Sequence, residues 1–426
     1  MIKPRKTLLG FLFLLATLTM LDRVCISVTG SAVQKDLNLS PQQWGWVLGA
    51  FSIAYGLFEI PSGAWGDRRG PRLGLARIVA LWSAFTAFTG MVTGFTSLVV
   101  TRFFFGAGEA GAFPNMAACV SRWFAARERA RAQGFIWMAS RLGGALSPLL
   151  IIPLQDAFGW RACFIIFGAM GFVWAAAWYV WFRDSPAEMK SLSPADIRAM
   201  DLDPAPSAHA GVPWRAMFRC RTMWWILLMY YAYCWSGYFF QGWLFIFLEK
   251  GRAFSRADLL AYSWLPFVFG ACANLAGGFA ADWTARKWGL KIGRRAIGFS
   301  GLFASAMFIL AALSVQDQVT TIVLLALAYA ASDFMLPMAW AVCIDIGGRN
   351  AGAVSGAMNM AGQAGGFSTS LAFGYIIGST GNYNAPLMVM AGFTMVAAFL
   401  WFAIDPAARL ELASPESQIS TPGSSG

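Results

Sequence analysis

The chain has 426 residues, of which 58% are hydrophobic and 12% are charged. Soluble domains carry about 25% charged residues, so this composition excludes an ordinary soluble domain. With 20 Trp and 36 Phe, it also excludes a disordered chain. Seven scattered cysteines without a CxxC spacing indicate neither a disulfide framework nor a metal site. The formal net charge of +11 indicates either a nucleic-acid-binding protein or a membrane protein, depending on where the charges lie.

Apolar runs long enough to cross a bilayer recur along the whole sequence. A hydrocarbon core about 30 Å thick needs about 20 apolar residues in a helix. The first run starts near the N-terminus, keeps its charged residues and lacks a small-residue cleavage site, which predicts a retained helix and not a signal peptide. The sequence predicts twelve membrane-spanning helices, at about 8–30, 44–65, 74–92, 97–119, 130–153, 160–182, 222–248, 258–281, 295–315, 319–343, 351–378 and 385–404.

One long polar segment, 183–221, separates the first six runs from the last six. We therefore predict an all-α membrane protein made of two pseudo-symmetric six-helix bundles at 1–182 and 222–404. Residues 183–221 form the predicted linker, with a short amphipathic helix at 193–201. Residues 405–426 form a predicted disordered tail.

Positive charge is distributed unequally between the two sides of these helices. Of the 32 Lys and Arg residues, 24 fall in segments on the side of the two termini. Five fall on the opposite side: Lys35, Arg161, Lys250, Arg252 and Arg256. This asymmetry follows the positive-inside rule and predicts that both termini are cytoplasmic. The basic excess then reflects topology, and no nucleic-acid partner is expected.

The three remaining arginines, Arg23, Arg102 and Arg141, fall inside predicted spans. A charge at the bilayer centre costs at least about 2.5–3.5 kcal/mol, so these side chains are expected to line a central cavity and not to face lipid. Because a guanidinium matches a carboxylate in a bidentate manner, the expected ligand is an organic anion. The alternative is that each arginine forms a structural ion pair with Asp22 or Glu109.

Acidic residues in the spans are candidate proton carriers. A carboxylate whose surroundings alternate between an arginine and water loads and releases a proton. We expect Asp22 and Glu109 to serve this role, with the anion competing for the same arginines. Asp333, in the tenth span, is a third candidate, although it equally suits a neutral buried acid or an acceptor for substrate hydroxyls.

A repeated loop supports the division into halves. Gly63-Ala-Trp-Gly-Asp67-Arg68-Arg69-Gly70 follows the second span, and Gly278-Phe-Ala-Ala-Asp282 follows the eighth. This half-chain repetition is typical of parallel repeats about an axis normal to the membrane. Four residues of these loops are predicted to act in gating, by bridging and capping neighbouring helix ends: Asp67, Arg68, Arg72 and Asp282.

The paired loops resemble the signature of the major facilitator superfamily. Three further segments resemble its anion:cation symporters, which include galactonate, glucarate and hexuronate transporters, sialin and vesicular glutamate transporters. They are Leu21-Asp22-Arg23-Val24, Tyr55-Gly-Leu-Phe-Glu59-Ile-Pro61 and the stretch from Arg102 through Glu109 to Pro114. The similarity continues through 340–345 and 355–362. The resemblance implies the major facilitator fold, sugar contacts at Tyr55 and Asn359, and proton coupling at Asp22 and Glu109.

The sequence thus predicts a proton-coupled symporter that imports an organic anion by rocking two bundles about a central site. The expected substrate is a sugar acid such as an aldonate, hexuronate or aldarate. A drug/proton antiporter is the first alternative, since 144–148 faintly resembles an antiporter motif, but arginines in the cavity would repel a cation. A non-transporting sensor with the same fold is the second.

An enzyme is not expected, because His209 is the sole histidine, it lies in the linker, and no Walker loop is present. No cofactor or metal is predicted, and the coupling ion is H⁺. The expected partners are the small anion and the lipid bilayer, and the protein is expected to be a monomer. The short first outer loop indicates a bacterial inner-membrane protein.

Overall fold

The computed structural model describes residues 3–124, 126–200, 214–347, 351–406 and 408, and these residues are helical with short connections and no strand. A 3₁₀ turn at Pro186–Glu188 and π-helical segments at Phe239–Trp243 and Phe247–Gly251 supplement the α-helices. The prediction of an all-α chain is confirmed for this part of the protein. The α-helices are α1 (Lys3–Val28), α2 (Gly30–Asp36), α3 (Pro41–Arg69), α4 (Pro71–Thr89), α5 (Phe95–Glu109), α6 (Ala112–Trp123), α7 (Ala126–Trp181), α8 (Pro194–Ala199), α9 (Trp214–Arg219), α10 (Arg221–Tyr238), α11 (Leu244–Ile246), α12 (Arg256–Tyr262), α13 (Leu265–Ser314), α14 (Gln318–Gly347), α15 (Ala351–Thr380) and α16 (Ala385–Leu400).

Helices α7 and α13 are each interrupted by one glycine with a positive φ. Gly159 has φ 81° and Gly289 has φ 78°, a conformation that residues with a Cβ rarely adopt. The chain reverses its direction at Gly159. The reversal brings the Cys163 thiol to 4.0 Å from the carbonyl oxygen of Ile151, 12 residues earlier in the chain. Each long helix is therefore a pair of helices that fold back on each other, as the predicted spans at 130–153 and 160–182 require.

The outside of the helical bundle is apolar. Large side chains such as Phe158, Val173 and Phe279 are exposed there, as expected for surfaces that face lipid. By length and composition alone, five of the described helical stretches suffice to cross a membrane: Pro4–Val28, Ala132–Trp181, Arg256–Ala281, Trp283–Ser314 and Gln318–Gly347. These features are those of a multi-pass membrane protein.

Three apolar cores show how the two halves of the chain meet. One core uses first-half residues from Leu8 onward together with Met189 of the 183–221 segment. A second uses second-half residues up to Ile404 together with Met217 of that segment. The third is shared, because it packs Trp44 of α3 with residues such as Trp243 and Phe373 of the second half. We call the side that carries the shared core the far side. The opposite side, where α1 begins and where Arg5 contacts Met200 of the 183–221 segment, is called the linker side. The halves are thus joined on the far side and have separate cores on the linker side.

The closest approach between the halves is at the far-side ends of α3 and α15. A Cβ added at Gly45 would lie 2.6 Å from the carbonyl oxygen of Ser370 and 3.3 Å from the Cα of Leu371. Only a residue without a side chain permits this backbone contact. The contact holds α3 against α15 and closes the far side above the polar residues of the interior.

Candidate functional site

The first buried ion pair joins α1 to α5. Arg23 Nε donates to Glu109 Oε1 at 2.6 Å, and the Glu109 side chain is 1% exposed. The Arg23 guanidinium also lies 4.8 Å from the centre of the Tyr55 ring and 5.3 Å from that of Phe51. Arg23 Nη2 and Glu109 Oε2 have no described hydrogen-bond partner. The pair thus retains capacity to bind a further polar group.

Arg102 also lies near the Phe51 ring. Its guanidinium is 5.4 Å from the centre of that ring and 4.3 Å from the centre of the Phe105 ring. Arg102 is 2% exposed, and its Nε has no described hydrogen-bond partner. Asp22, which is 3% exposed, interacts electrostatically with Arg102, and its Oδ1 is likewise unpartnered among the described atoms. The sequence predicted this group of four ionisable residues, and the structure brings all four together.

A cavity of about 30 Å³ lies between the halves, beside the two arginines. This volume is enough to hold a water molecule. The π-helical segment Phe239–Trp243 contributes part of its wall, and π-helical turns are frequent at functional sites. The residues that line it are Arg23, Ile26, Leu48, Phe51, Ser52 and Arg102 from the first half, and Tyr238, Gln241, Gly242 and Ser370 from the second. A cationic wall therefore faces a neutral, hydrogen-bonding wall.

The third predicted arginine is engaged elsewhere. Arg141 Nη2 donates to Asp333 Oδ1 at 3.0 Å, and Arg141 Nη1 donates to the Tyr329 hydroxyl at 2.7 Å. Arg141 is on α7 and its two partners are on α14, so the ion pair crosses from one half to the other. Arg141 is not among the residues that line the cavity of Arg23 and Arg102, contrary to the expectation that all three arginines share one cavity. The partner of Asp333 comes from the opposite half, which the sequence could not indicate.

Asn359 forms a second contact between the halves. Its Nδ2 lies 2.7 Å from both carboxylate oxygens of Glu59, which is 8% exposed. Tyr55, one turn away from Glu59 on α3, is buried under the Arg23 guanidinium. Tyr55 and Asn359 thus flank the arginine site, but the described hydrogen bonds of the Asn359 amide go to Glu59 and not to the cavity.

The predicted gating residues lie at the linker side. Arg72 donates from Nε and Nη2 to the Tyr179 carbonyl oxygen, at 2.9 and 2.8 Å, near the C-terminal end of α7. Its backbone N–H donates to Asp184 Oδ1 at 2.9 Å, so Arg72 connects the start of α4 with the end of α7 and the start of the 183–221 segment. Arg68 is exposed. The side chains of Asp67 and Asp282 lie outside the described part of the chain, as do residues 201–213 with His209.

On the far side, polar contacts between the halves were not predicted from the sequence. Lys250 Nζ donates to Gln34 Oε1 at 2.7 Å. Arg256, in the first turn of α12, pairs with Asp156 of α7. Their spacing of 100 residues gives no local signal, because the contact depends on how the two halves pack.

Glu59 lies in the Tyr55–Pro61 segment that resembles the anion:cation symporters, but the sequence analysis did not predict it as a site residue. A carboxylate inside an apolar run was the signal that could have found it.

No group of three or more His, Cys, Asp or Glu residues within the described ranges is arranged to hold a metal ion. The chemistry of the site is therefore argued from its guanidiniums, carboxyls and neutral hydrogen-bonding groups.

Comparison of the sequence with known proteins finds relatives that are named as transporters. A protein of Cupriavidus necator named a probable sulfoacetate transporter is 32% identical over 409 residues, which cover 95% of each chain. A probable L-galactonate transporter of Escherichia coli is 29% identical, over 93% of this chain and 88% of that protein. A probable galactarate/D-glucarate transporter of Bacillus subtilis is 27% identical, over 95% and 93%. The predictions of a transporter and not an enzyme, and of a resemblance to organic-anion transporters, are confirmed.

The fold is also that of a solved transporter. The crystal structure of a bacterial homolog of the human lysosomal transporter Spinster, in an inward-facing and unoccupied conformation, superposes with a TM-score of 0.76. The two sequences are 20% identical, and the match covers 95% of this chain and 98% of the other. Residues 12–370 match the sequence profile of the Major Facilitator Superfamily. The chain is therefore a member of the Major Facilitator Superfamily.

Proposed function

We propose that the protein is a proton-coupled symporter that imports a small organic anion across a bacterial inner membrane. The observation that carries this proposal is the cavity in which Arg23 and Arg102 face the neutral groups of Tyr238, Gln241 and Ser370. Two guanidiniums with unpartnered nitrogen atoms are suited to bind an anionic group. The same charges would repel a cation, which disfavours the antiporter alternative.

The topology that this function requires has twelve spans, in bundles at 1–182 and 222–404, and places both termini in the cytoplasm. The positive-inside rule supports this orientation. The linker side is then cytoplasmic, and the shared core closes the periplasmic side. Rocking of the two bundles about the arginine cavity would open the sides alternately. We propose that a single chain suffices for transport.

Sugar acids are the proposed substrates, because an aldonate, hexuronate or aldarate combines a carboxylate with hydroxyls. The carboxylate would bind the arginines, and the hydroxyls would bind Ser52, Tyr238, Gln241 or Ser370, which line the cavity. Once Asn359 leaves Glu59, its amide and the neighbouring Tyr55 could add hydroxyl contacts. A small sulfonated carboxylate is a second candidate, favoured by the 32% identity to a probable sulfoacetate transporter.

Proton coupling follows from competition for the arginines. Glu109 is bound to Arg23, and Asp22 interacts electrostatically with Arg102. An anion that takes either guanidinium leaves a carboxylate without its cation in a buried place, where a proton stabilises it. Loading of the anion and of the proton are thereby linked. Asp333, which is paired with Arg141 between the halves, would respond in the same way when the halves separate.

Uptake by proteoliposomes tests the proposal. The panel comprises galactonate, a hexuronate, glucarate and sulfoacetate, each with and without an imposed inward proton gradient. We expect gradient-dependent accumulation of at least one anion by the wild-type protein. In Asp22→Asn or Glu109→Gln, exchange of that anion across the membrane should persist while accumulation is lost. Liposomes without protein provide the baseline. Equal uptake of every anion in the presence and absence of the gradient would refute symport.

A further inference from the structure

Glu59 differs from the other buried carboxylates in the middle of the bundles. Glu109 is bound to Arg23, Asp333 is bound to Arg141, and Asp22 interacts with Arg102. The described partner of Glu59 is instead the neutral amide of Asn359, which contacts both of its oxygens. No described Lys or Arg side chain lies within ion-pair distance of Glu59. Burial of a carboxylate without a cation is costly, so this group is stabilised by holding a proton.

The charge balance of the interior leads to the same conclusion. Carboxyl groups outnumber guanidiniums among the buried ionisable side chains that lie along the interface of the two halves in the described structure. They are Asp22, Glu59, Glu109 and Asp333, against Arg23, Arg102 and Arg141. Arg23 and Arg141 form ion pairs with Glu109 and Asp333, which leaves Arg102 as the one cation for the two carboxyls of Asp22 and Glu59. Arg102 interacts electrostatically with Asp22, so Glu59 is the carboxyl without a cation of its own. Entry of an anion increases the negative excess, which makes a protonated Glu59 still more favourable.

The position of Glu59 connects it to the movement of the halves. The Glu59–Asn359 contact joins α3 to α15 on the linker side of the arginine cavity. The rings of Trp137 and Trp340 also approach each other across the halves, at 6.3 Å between their centres. On the linker side each half has its own apolar core. Separation of α3 from α15 at Glu59 would therefore expose the carboxyl to water on the linker side.

We propose that Glu59 is a further proton-carrying residue of the transport cycle, kept as the neutral acid by its burial without a neighbouring cation when the far side is closed, with Asn359 donating to its carbonyl oxygen. When α3 and α15 part, Asn359 leaves, the O–H bond of Glu59 breaks, and the proton passes to a water molecule on the linker side as the carboxylate becomes hydrated. The ionisable groups that face Glu59 are Arg23 of α1, Tyr55 of α3 and Tyr238 of α10. The transport part of this inference rests on the proposed symport.

Infrared spectroscopy of the purified protein at neutral pH tests the protonation of Glu59 without any substrate. The C=O stretch of a protonated carboxyl should be present in the wild-type protein and lose the contribution of one group in Glu59→Gln. The matched control is Glu188→Gln, which removes one exposed carboxyl outside the interface and should leave the band unchanged. An unchanged band in Glu59→Gln overturns the proposal. If Glu59→Gln does not fold, Asn359→Ala replaces it, and the band must then shift in frequency because Glu59 has lost its amide partner.

The role in transport is tested by the number of protons moved with each anion, obtained from reversal potentials in proteoliposomes. The probe is the anion from the panel above that the wild-type protein accumulates. We expect Glu59→Gln to move one proton fewer for each anion while still exchanging anion across the membrane, and Glu188→Gln to match the wild type. An unchanged proton number in Glu59→Gln refutes the carrier role. If the wild-type protein accumulates no anion, the symport proposal fails, and the infrared result still decides whether Glu59 holds a proton.

Discussion

At the scale of single residues, the two arginines of the cavity differ in their binding partners. Arg23 donates a 2.6 Å hydrogen bond to Glu109 and lies beside the rings of Phe51 and Tyr55. Arg102 interacts with Asp22 electrostatically, and its Nε has no described hydrogen-bond partner. An incoming anion therefore displaces less from Arg102 than from Arg23. Arg102 is the better candidate for the first contact with substrate.

Replacement of Arg102 by lysine tests this assignment. Lysine keeps the positive charge near Asp22 but loses the planar fork that binds a carboxylate through two N–H groups. Loss of one hydrogen bond to a charged group costs about 1.5–3 kcal/mol, which corresponds to an anion affinity about 10- to 100-fold weaker. Titration calorimetry with the transported anion measures this change. Arg68→Lys, at an exposed position, is the control, and wild-type affinity in Arg102→Lys would contradict the assignment.

The sequence could locate these residues and offer Asp22 and Glu109 as their alternative ion-pair partners, but it could not say which arginine pairs with which carboxylate. A charge within an apolar run is costly in a bilayer, so Arg23, Arg102 and Arg141 are conspicuous without a structure. Their partners depend on the rotation and crossing of helices that are distant in sequence. Arg102 and Glu109 share a helix with a spacing of seven residues, yet Glu109 bonds to Arg23 of α1, 86 residues away. Cross-half pairs such as Arg141 with Asp333, 192 residues apart, are beyond local patterns.

At the scale of the helices, the apolar runs predicted some elements and not others, because a membrane-spanning helix requires a minimum apolar length but its interruptions depend on local backbone geometry. The predicted span at 97–119 is divided between α5 and α6 at Gly111, which has φ 86°. The predicted spans at 130–153 and 160–182 lie within α7 on either side of Gly159. The short helix predicted at 193–201 corresponds to α8, whose first turn is capped by Ser193 and Asp196. The interruption of α10 by π-helical turns was not predicted, since it depends on packing around the cavity.

The far-side contact between α3 and α15 is expected to keep the far side closed, and a larger side chain at Gly45 tests this role. A valine at Gly45 would place its Cβ 2.6 Å from the Ser370 carbonyl oxygen and force the two helices apart. Overpacking of this kind costs about 1–3 kcal/mol, so we expect states with an open far side to become at least about fivefold more populated. The readout is the labelling rate of Ser52→Cys, in the cavity wall, by a membrane-impermeant maleimide applied to intact cells.

Two controls make this result specific. The exposed Cys272 is first replaced by alanine, and the same variant without Ser52→Cys gives the background rate. Gly392→Val is the matched substitution, because a Cβ at Gly392 has no neighbour within 4 Å. It should label at the rate of the parent protein. Equal labelling of Gly45→Val and Gly392→Val would show that the α3–α15 approach does not hold the far side closed.

At the scale of the whole molecule, the distribution of the cores defines the state of the transporter. One core unites the halves on the far side, and two separate cores support them on the linker side. Alternating access requires the two states to differ by only a few kcal/mol. The far-side core is large and apolar, so smaller polar contacts at its edge can adjust this balance. The pair of Asp156 with Arg256 is such a contact, because it links α7 to α12 at the protein surface.

Reversal of one charge of this pair should shift the balance without damage to the core. Asp156→Arg places two arginines next to each other. Because both native side chains are 39–50% exposed, the change in the free-energy difference between the two states is limited to about 1 kcal/mol. We expect the labelling of Ser52→Cys from outside to rise by at most about fivefold, and to return to the parent rate in the charge-swapped Asp156→Arg/Arg256→Asp variant. At about 1 M salt, where the Debye length is about 3 Å, the difference should vanish. A salt-independent increase, or one that the swap does not reverse, would mean that Asp156 acts through packing and not through its charge.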